Sequence, residues 1–212
     1  MKSPMKKHEK SGVLITFCGL DGCGKSTQIS LLKSFLAEFD LSVTLTKQPT
    51  DFIRNAKMFR TFQDEETPEK NSYDYRAVSL LCASDRIQHS NRVILPLLEH
   101  GEIVISDRYF FSCLANLRAR GYTKDKWIDE VAEFIPKPDY AFFLDVDVDT
   151  AAYRVRQRPE ERERHIDMGM QQRLREQYLL IAKKYDGFIL DSGKSPEETF
   201  ADIQAILLKS PK

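Results

Sequence analysis

The sequence predicts an α/β fold in which a parallel β-sheet is covered by helices on both faces. Five short apolar runs, each bounded by turn residues, have the length and composition of buried strands. Longer stretches with helical spacing lie between them, and this alternation is typical of successive βαβ units. At 212 residues, with 42% apolar and 30% charged residues, the chain has the size of one domain with a sizeable core.

The expected elements can be placed in order along the chain. The predicted strands are Val13 to Cys18, Val43 to Thr46, Ile103 to Ser106, Tyr140 to Leu144 and Phe188 to Leu190. Helical spacing covers Ser26 to Phe39, Ser79 to His100 and Met170 to Tyr185, and more briefly Asp51 to Phe62 and Lys124 to Phe134. Residues 1–12 are polar and basic, so we expect a disordered tail ahead of a single domain over residues 13–212.

The charge balance and the cysteines restrict the classes of partner. Lys plus Arg number 32 and Asp plus Glu number 32, so no global positive field favours nucleic acid or an anionic membrane. No apolar run reaches the roughly 18 residues that a membrane span needs. The four cysteines match neither a zinc site nor a redox pair, and no signal peptide precedes them. We therefore expect reduced thiols and a cytoplasmic protein that binds small molecules.

A glycine-rich segment directly follows the first predicted strand. The string GLDGCGKST fits the pattern G-x-x-x-x-G-K-[ST], in the strand-to-helix context that this pattern requires. Its backbone N–H groups and the positive end of the next helix are expected to bind phosphate. The predicted ATP-binding residues of this P-loop are Gly19, Asp21, Gly22, Cys23, Gly24, Lys25, Ser26 and Thr27.

The last three residues of the P-loop carry distinct expected roles. Lys25 brings a mobile positive charge to the phosphates, and Thr27 is placed to hydrogen-bond an α-phosphate oxygen. The short hydroxyl of Ser26 is placed to ligate a Mg²⁺ ion that bridges the β- and γ-phosphates. The sequence thus predicts ATP and Mg²⁺ as bound groups.

Arginines gather where predicted strands and helices end. Asp107 and Arg108 leave the third strand at the edge of the sheet where ligands bind in such folds, and Arg86 lies on the long helical pattern. A segment broken by Pro159 contains Arg154, Arg156, Arg158, Arg162 and Arg164. Planar guanidinium groups suit a phosphoryl group in transfer, so the pattern favours a kinase. The Asn-Lys-x-Asp element of a guanine-nucleotide switch is absent from the sequence.

In this order the motifs resemble those of thymidylate kinases, which are P-loop nucleoside monophosphate kinases. The resemblance covers about residues 13–205 and rests on the strings GLDGCGKSTQ, ASDRIQH, SDRY, FFLDVDVDTA and LREQYLLIA. It implies a three-layer P-loop NTPase fold with a five-stranded parallel sheet. It also implies transfer of the γ-phosphoryl group of ATP, with Mg²⁺, to a (deoxy)pyrimidine monophosphate, and a homodimer packed through helices.

The resemblance also assigns roles to single residues. Asp21 would hold the acceptor's 3′-hydroxyl or a magnesium-bound water, and Arg108 would clamp the acceptor phosphate. Arg86 would face the acceptor base or phosphate. Asp107 would lie beside the metal and the attacking oxygen, so the expected metal-site residues are Ser26 and Asp107.

The resemblance predicts that the catalytic arginine comes from a lid. Gly22 and Cys23 stand where some family members carry a P-loop arginine, so an arginine-rich lid at about 156–168 would supply it. Arg154 and Arg158 are the leading candidates, with Arg162 and Arg164 behind them. The expected catalytic residues are Lys25, Asp107, Arg108, Arg154 and Arg158.

The chain differs from the family at positions that recognise the acceptor nucleotide. Cys82 replaces the aromatic residue that stacks on thymine, and Asn116 replaces the tyrosine that crowds the 2′ edge of the sugar. Lys47-Gln48-Pro49-Thr50 stands in place of Glu-Pro-Gly-Gly. Two alternatives therefore stay open: a nucleotide-binding regulatory protein without turnover, and a kinase of another nucleoside or small acceptor.

Overall fold

A computed structural model describes residues 4–63 and 73–209 of the chain. The strands are β1 Lys6–Lys7, β2 Val13–Cys18, β3 Val43–Lys47, β4 Ile103–Asp107, β5 Pro136–Lys137, β6 Tyr140–Asp145 and β7 Phe188–Asp191. The first helices are α1 Lys25–Ala37, α2 Asp51–Arg54, α3 Lys57–Gln63, α4 Tyr75–His89 and α5 Leu95–Glu99. The remaining ones are α6 Phe110–Ala119, α7 Trp127–Ala132, α8 Val148–Arg156, α9 Met168–Lys184 and α10 Pro196–Lys209.

Five strands form one parallel sheet in the order β3-β4-β2-β6-β7, which confirms the predicted fold class. Helices α1 and α10 pack together, and α6 contacts α4 and α9 in a second group. The central strand β2 is almost wholly buried, and Leu14 and Phe17 are both fully inaccessible to solvent. Burial on both faces is what the continuous apolar run of that strand predicts.

Four of the five predicted strands extend one residue further than their apolar runs. Lys47, Asp107, Asp145 and Asp191 all pair in the sheet although their side chains are charged. Backbone pairing satisfies the N–H and C=O groups regardless of the side chain, so strands continue to the edge where the sheet meets solvent. The charged residues of interest therefore stand on the strand ends themselves.

The register of β2 and β4 sets the geometry of the ligand-binding edge. Phe17 lies opposite Asp107 on one side, and Lys47 lies opposite Asp107 on the other. The loop after β2 and the Asp107-Arg108 pair at the end of β4 therefore lie side by side. Parallel strands place their carboxyl ends at the same edge, where ligands bind in such folds.

Aromatic rings fill the space between β6 and the helices α6 and α9. Phe143 of β6 points to this side of the sheet and is 1% exposed. The ring of Phe111 has its centroid 5.3 Å from Phe143 and 5.3 Å from Tyr185. Burial of each such side chain contributes about 1.5 to 3 kcal/mol, which holds α6 and α9 firmly against the sheet.

Residues 4–12 pack against the domain, whereas the sequence predicted a disordered tail. Met5 is only 4% exposed, and strand β1 pairs in parallel with β5. The backbone N–H of Gly12 donates to the Leu98 carbonyl at 2.9 Å. Apolar burial and backbone pairing offset the entropy of ordering these residues, so the expectation is wrong for them. Residues 1–3 lie outside the described part.

The long helical pattern predicted at Ser79 to His100 is interrupted by a π-helical turn. That turn spans Ser90–Ile94 and joins α4 to α5. The pattern Asp51 to Phe62 is likewise divided into α2 and α3. Within the described ranges, no helix combines the length and the apolar character of a membrane-spanning segment.

Candidate active site

The P-loop runs from β2 to α1 and adopts backbone conformations that favour glycine. Gly22 and Gly24 have φ angles of 82° and 94°, and Gly24 is the residue that precedes the first turn of α1. A Cβ atom on Gly22 would lie 2.1 Å from the Ala151 carbonyl oxygen of α8. The loop therefore packs against α8 while its N–H groups and the positive end of α1 remain available for an anion.

The side chain of Lys25 folds over the P-loop. Its Nζ atom donates to the carbonyl oxygens of Leu20 at 2.6 Å and Gly19 at 3.2 Å, and the residue is 7% exposed. Phosphate oxygens are stronger acceptors for an ammonium group than neutral carbonyls. The contacts hold Lys25 where it can exchange these carbonyls for a nucleotide phosphate. Cys23 is fully buried beside it, with Sγ 3.6 Å from Nζ.

Asp107 and Ser26, the two residues expected at a metal site, line the same cleft. Oδ1 of Asp107 is buried and has no hydrogen-bond partner among the described residues, while Oδ2 lies 3.7 Å from Nζ of Lys47. A carboxylate oxygen without a partner and a nearby hydroxyl fit Mg²⁺, which binds through few protein oxygens plus substrate phosphates. No group of three or more acidic, His or Cys side chains in the described part forms a separate metal cage.

An ion pair joins the P-loop to the residue that follows β4. Arg108 Nη2 donates to Asp21 Oδ1, and Arg108 Nη1 donates to the Gly19 carbonyl at 3.4 Å. Arg108 lowers the pKa of Asp21 well below its usual range. Burial disfavours the charged form of Arg108, but the Asp21 carboxylate and several weaker neighbours together more than offset this, so the pKa of Arg108 lies above its usual range. Both groups are therefore ionised at any physiological pH.

The arginines at the end of α8 and in the expected lid segment make different contacts. Arg154 Nη1 donates to the Ser192 carbonyl at 3.0 Å, in the loop that follows β7. Arg158 is exposed and lines the cleft together with Arg154. Arg164 Nη2 lies 3.4 Å from Asp21 Oδ2, and Arg164 Nη1 donates to Glu161 at 2.9 Å. The lid arginine that contacts the P-loop is thus Arg164, which the sequence ranked behind Arg154 and Arg158.

The predicted acceptor residues lie between α4 and α6. Arg86 is only 2% exposed, and it donates to the carbonyls of Cys82 at 2.7 Å and Tyr109 at 3.3 Å. Cys82 is buried, and burial raises its thiol pKa to about 11. Asn116 Nδ2 donates to the Ser112 carbonyl at 2.9 Å. These residues do not line the P-loop cleft, and their contact with an acceptor stays a prediction.

Two side chains near these residues were not singled out by the sequence. Arg120 donates to Asn116 Oδ1 at 2.8 Å and lies over the Tyr75 ring, with Cζ 4.2 Å from its centroid. Tyr178 of α9 accepts a hydrogen bond from Arg108 at 3.2 Å. Arg120 directly follows α6, four positions after Asn116. Side chains at this spacing are neighbours on a helix, so the sequence could have predicted the contact. Tyr178 lies on a buried helix face, where a pattern of apolar spacing indicates only core.

All five predicted catalytic side chains line one cleft, whose empty space of about 670 Å³ is partly open to solvent. Its lining residues are Asp21, Gly22, Gly24, Lys25, Ser26, Thr27, Lys47, Asp107, Arg108, Arg154 and Arg158. A much narrower pocket beside Asp21 is bounded by α8, Arg164 and Ile166. The arrangement joins a phosphate cradle, a carboxylate suited to a cation and several guanidinium groups. It can therefore bind a triphosphate beside a second anion.

Known proteins resemble this chain over nearly its full length. A family model described as Thymidylate kinase matches residues 17–203. A probable thymidylate kinase of Pyrococcus horikoshii is 35% identical over 197 residues, which cover 92% of this chain and 96% of the relative. A probable thymidylate kinase of Thermococcus kodakarensis is 37% identical over 178 residues, which cover 82% of this chain and 85% of the relative. A thymidylate kinase of Geobacillus sp. strain WCH70 is 30% identical over 201 residues, covering 90% and 93%.

Proposed function

The chain belongs to the thymidylate kinase family and is an ATP-dependent nucleoside monophosphate kinase, and we propose that thymidylate is among its acceptors. The observation that carries the proposal is the Asp21–Arg108 ion pair at the edge of the P-loop cleft. A protein that only bound ATP would need the cradle but no second anion site beside it. Arg108 supplies that site, since a guanidinium can release one carboxylate and bind a phosphate in its place.

The proposed reaction gives each of these side chains a role. The P-loop N–H groups and Lys25 bind the phosphates of ATP, and Arg108 turns from Asp21 towards the acceptor phosphate. An oxygen of that phosphate attacks the γ-phosphorus in line, and the bond from the γ-phosphorus to the bridging oxygen breaks to release ADP. Asp107 and Ser26 would hold Mg²⁺, which supplies charge neutralisation on the phosphates when bound.

We propose that the segment at about 156–168 acts as a lid whose arginine meets the transferred group. Arg164 is the leading candidate, because Asp21 already holds it at the P-loop, and Arg158, which lines the cleft, is the second candidate. Arg154 contacts the loop after β7 instead, so it is better placed for ATP binding than for catalysis. Guanidinium groups at the equatorial oxygens stabilise the charge that develops during transfer.

The acceptor site is proposed to be less selective than one built around an aromatic stack. Cys82 offers no ring, and Asn116 leaves room beside the sugar while its amide is fixed by Ser112 and Arg120. Thymidylate and other pyrimidine monophosphates would then be phosphorylated at comparable rates. We also propose a cytoplasmic location, which the four free and buried cysteines support.

A second copy of the chain is the proposed partner. Leu80 is 50% exposed on the outer face of α4, and Phe52 of the neighbouring α2 is 83% exposed. Apolar side chains of this size on adjacent helices favour helix packing between subunits. A homodimer through α4 would bury them.

A coupled assay of ADP release tests the proposed function directly. Purified protein is supplied with ATP and Mg²⁺ and then with thymidylate, deoxyuridylate, uridylate or cytidylate in turn. We expect turnover with thymidylate. Absence of ADP release with all four, together with tight ATP binding, would favour a regulatory protein without turnover.

A further inference from the structure

A buried hydrogen-bonded row leads from Arg108 into the helical layer. Arg108 Nη1 donates to the hydroxyl oxygen of Tyr178 at 3.2 Å, and that hydroxyl donates to Ser112 Oγ at 3.0 Å. A tyrosine has a single hydroxyl proton. Because Ser112 accepts that proton, the lone pairs of the Tyr178 oxygen are left to face the guanidinium.

Tyr178 is held rigidly in this position. The residue is 3% exposed and Ser112 is 4% exposed. The Tyr178 ring packs edge-on against Phe143 of β6, with centroids 6.4 Å apart and an angle of 61° between the planes. Burial raises the pKa of the hydroxyl to about 12, so it stays protonated over the working range of pH. The acceptor that it offers to Arg108 is therefore fixed in both place and chemistry.

The backbone of Arg108 is also fixed, which makes its side-chain contacts decisive. Its φ angle of 66° lies in the left-handed region, and its N–H donates to the Phe17 carbonyl at 2.9 Å. Ser106 Oγ donates to the Arg108 carbonyl at 2.6 Å. A non-glycine residue in this conformation is uncommon and persists only where surrounding contacts impose it. The direction in which the guanidinium points is then set by Asp21, Gly19 and Tyr178.

Of these three contacts, only Tyr178 lies outside the P-loop. Asp21 and the Gly19 carbonyl belong to the loop that also receives ATP, so their bonds to Arg108 compete with nucleotide. Tyr178 can keep its bond while Nη2 exchanges Asp21 for another anion. It therefore holds one edge of the guanidinium and leaves the other edge free.

We propose that Tyr178, backed by Ser112, is a positioning residue that aims Arg108 at the phosphate of the acceptor. The proposal rests on the proposed function, since it takes Arg108 as the acceptor clamp. Tyr178 contacts Arg108 and not the reacting atoms, so its effect should appear in acceptor binding. Binding of ATP, which uses the P-loop and Lys25, should be unaffected.

The test compares two tyrosines that differ in position but not in chemistry. Tyr178→Phe removes the hydroxyl and keeps the ring, and the KM for thymidylate should rise about tenfold because a hydrogen bond to a charged group is lost. The KM for ATP should change by less than about twofold. Tyr185→Phe is the matched control, because Tyr185 is 1% exposed and its hydroxyl donates to Asp129 at 3.2 Å. Its KM for thymidylate should equal that of the wild type.

A double-mutant cycle separates positioning from a general loss of structure. In an Arg108→Met background, Tyr178→Phe should raise the KM for thymidylate by less than about twofold, because the bond that it removes is already absent. An unchanged tenfold effect in that background would show that Tyr178 acts through packing and would overturn the proposal. Ser112→Ala, which frees the tyrosine proton, should raise the same KM about threefold if the row acts as a unit.

Calorimetric titration with thymidylate gives the same comparison without turnover. Equal affinities of wild type and Tyr178→Phe would contradict the role of Tyr178 alone. A wild-type protein that does not phosphorylate thymidylate would instead contradict the proposed function. The two failures are therefore distinguishable.

Discussion

Arg164 of the lid segment lies with Nη2 3.4 Å from Oδ2 of Asp21, although 143 positions separate the two residues in the chain. The same carboxylate binds Arg108 through its other oxygen. Asp21 thus links the proposed lid and the proposed acceptor clamp. Binding of an acceptor phosphate to Arg108 would leave Asp21 and Arg164 beside the transferred group.

The contact between Arg164 and Asp21 leads to a prediction about the catalytic arginine. Arg164→Lys should lower kcat at least about tenfold and change the KM for ATP less than about threefold, because lysine keeps the charge but lacks the planar fork. Arg154→Lys should chiefly raise the KM for ATP. Arg156→Lys, at an exposed position on the same segment, is the control. A loss of kcat confined to Arg158→Lys would move the assignment to Arg158.

The P-loop and the end of β4 should both be essential for turnover. Lys25→Ala and Asp107→Asn should each lower kcat at least about a hundredfold, because both groups act on the charge of the transition state. Circular dichroism should show an unchanged fold, and Lys33→Ala on the exposed face of α1 should retain wild-type kinetics. Near-normal turnover in either active-site variant would remove that residue from the mechanism.

The ion pair of Asp21 should make stability depend on pH in the acidic range. Arg108 lowers the pKa of Asp21 from 3.8, so the ionised carboxylate stabilises the fold above about pH 4. That contribution is lost as the pH falls below 3.8 towards the lower pKa of the folded state. The free energy of unfolding, measured with urea, should therefore change less between pH 6 and pH 3 for Asp21→Asn than for the wild type. Asp40→Asn, at an exposed residue, should follow the wild type, and an equal difference in all three proteins would contradict the prediction.

The acceptor positions lead to a prediction about selectivity. Thymidylate, deoxyuridylate, uridylate and cytidylate should have kcat/KM values within about a hundredfold, a spread of about 2.7 kcal/mol. Cys82→Phe should widen the gap in favour of thymidylate, because stacking on a ring contributes about 1 to 3 kcal/mol. Asn116→Tyr should lower the kcat/KM for uridylate relative to that for deoxyuridylate, because the ring would crowd the 2′ edge of the sugar. A thousandfold wild-type preference for thymidylate over the other three would refute this reading of Cys82 and Asn116.

The proposed dimer can be tested through α4. Leu80→Glu should shift the mass measured by light scattering from that of a pair towards 24.5 kDa, because a charge cannot be buried against an apolar partner without a counter-charge. Leu208→Glu provides the control, since Leu208 is 72% exposed on α10. A wild-type protein that is monomeric at all concentrations would contradict the dimer.

Short-range sequence patterns were sufficient to predict the five strands of the main sheet, their parallel arrangement and the P-loop. These features depend on short-range patterns: apolar runs bounded by turn residues, and glycines at fixed spacing between a strand and a helix. The predicted bounds of Val13–Cys18 match the observed strand at both ends. The four strands that were predicted one residue too short end in charged residues, which still pair through the backbone. Local chemistry is sufficient at these positions because neighbours along the chain decide the conformation.

The pairing of the charged side chains depends on long-range packing that the sequence did not reveal. Arg108 and Asp21 are 87 positions apart, and Arg108 and Tyr178 are 70 apart. Five arginines around Pro159 are alike in sequence, and the packing of the lid against the P-loop brings Arg164 to Asp21. Arg86 fits a substrate-binding pattern, and the fold buries it with its guanidinium on the carbonyls of Cys82 in its own helix and of Tyr109 just before α6. Contacts between distant segments depend on how whole helices pack on the sheet, and no local spacing encodes that geometry.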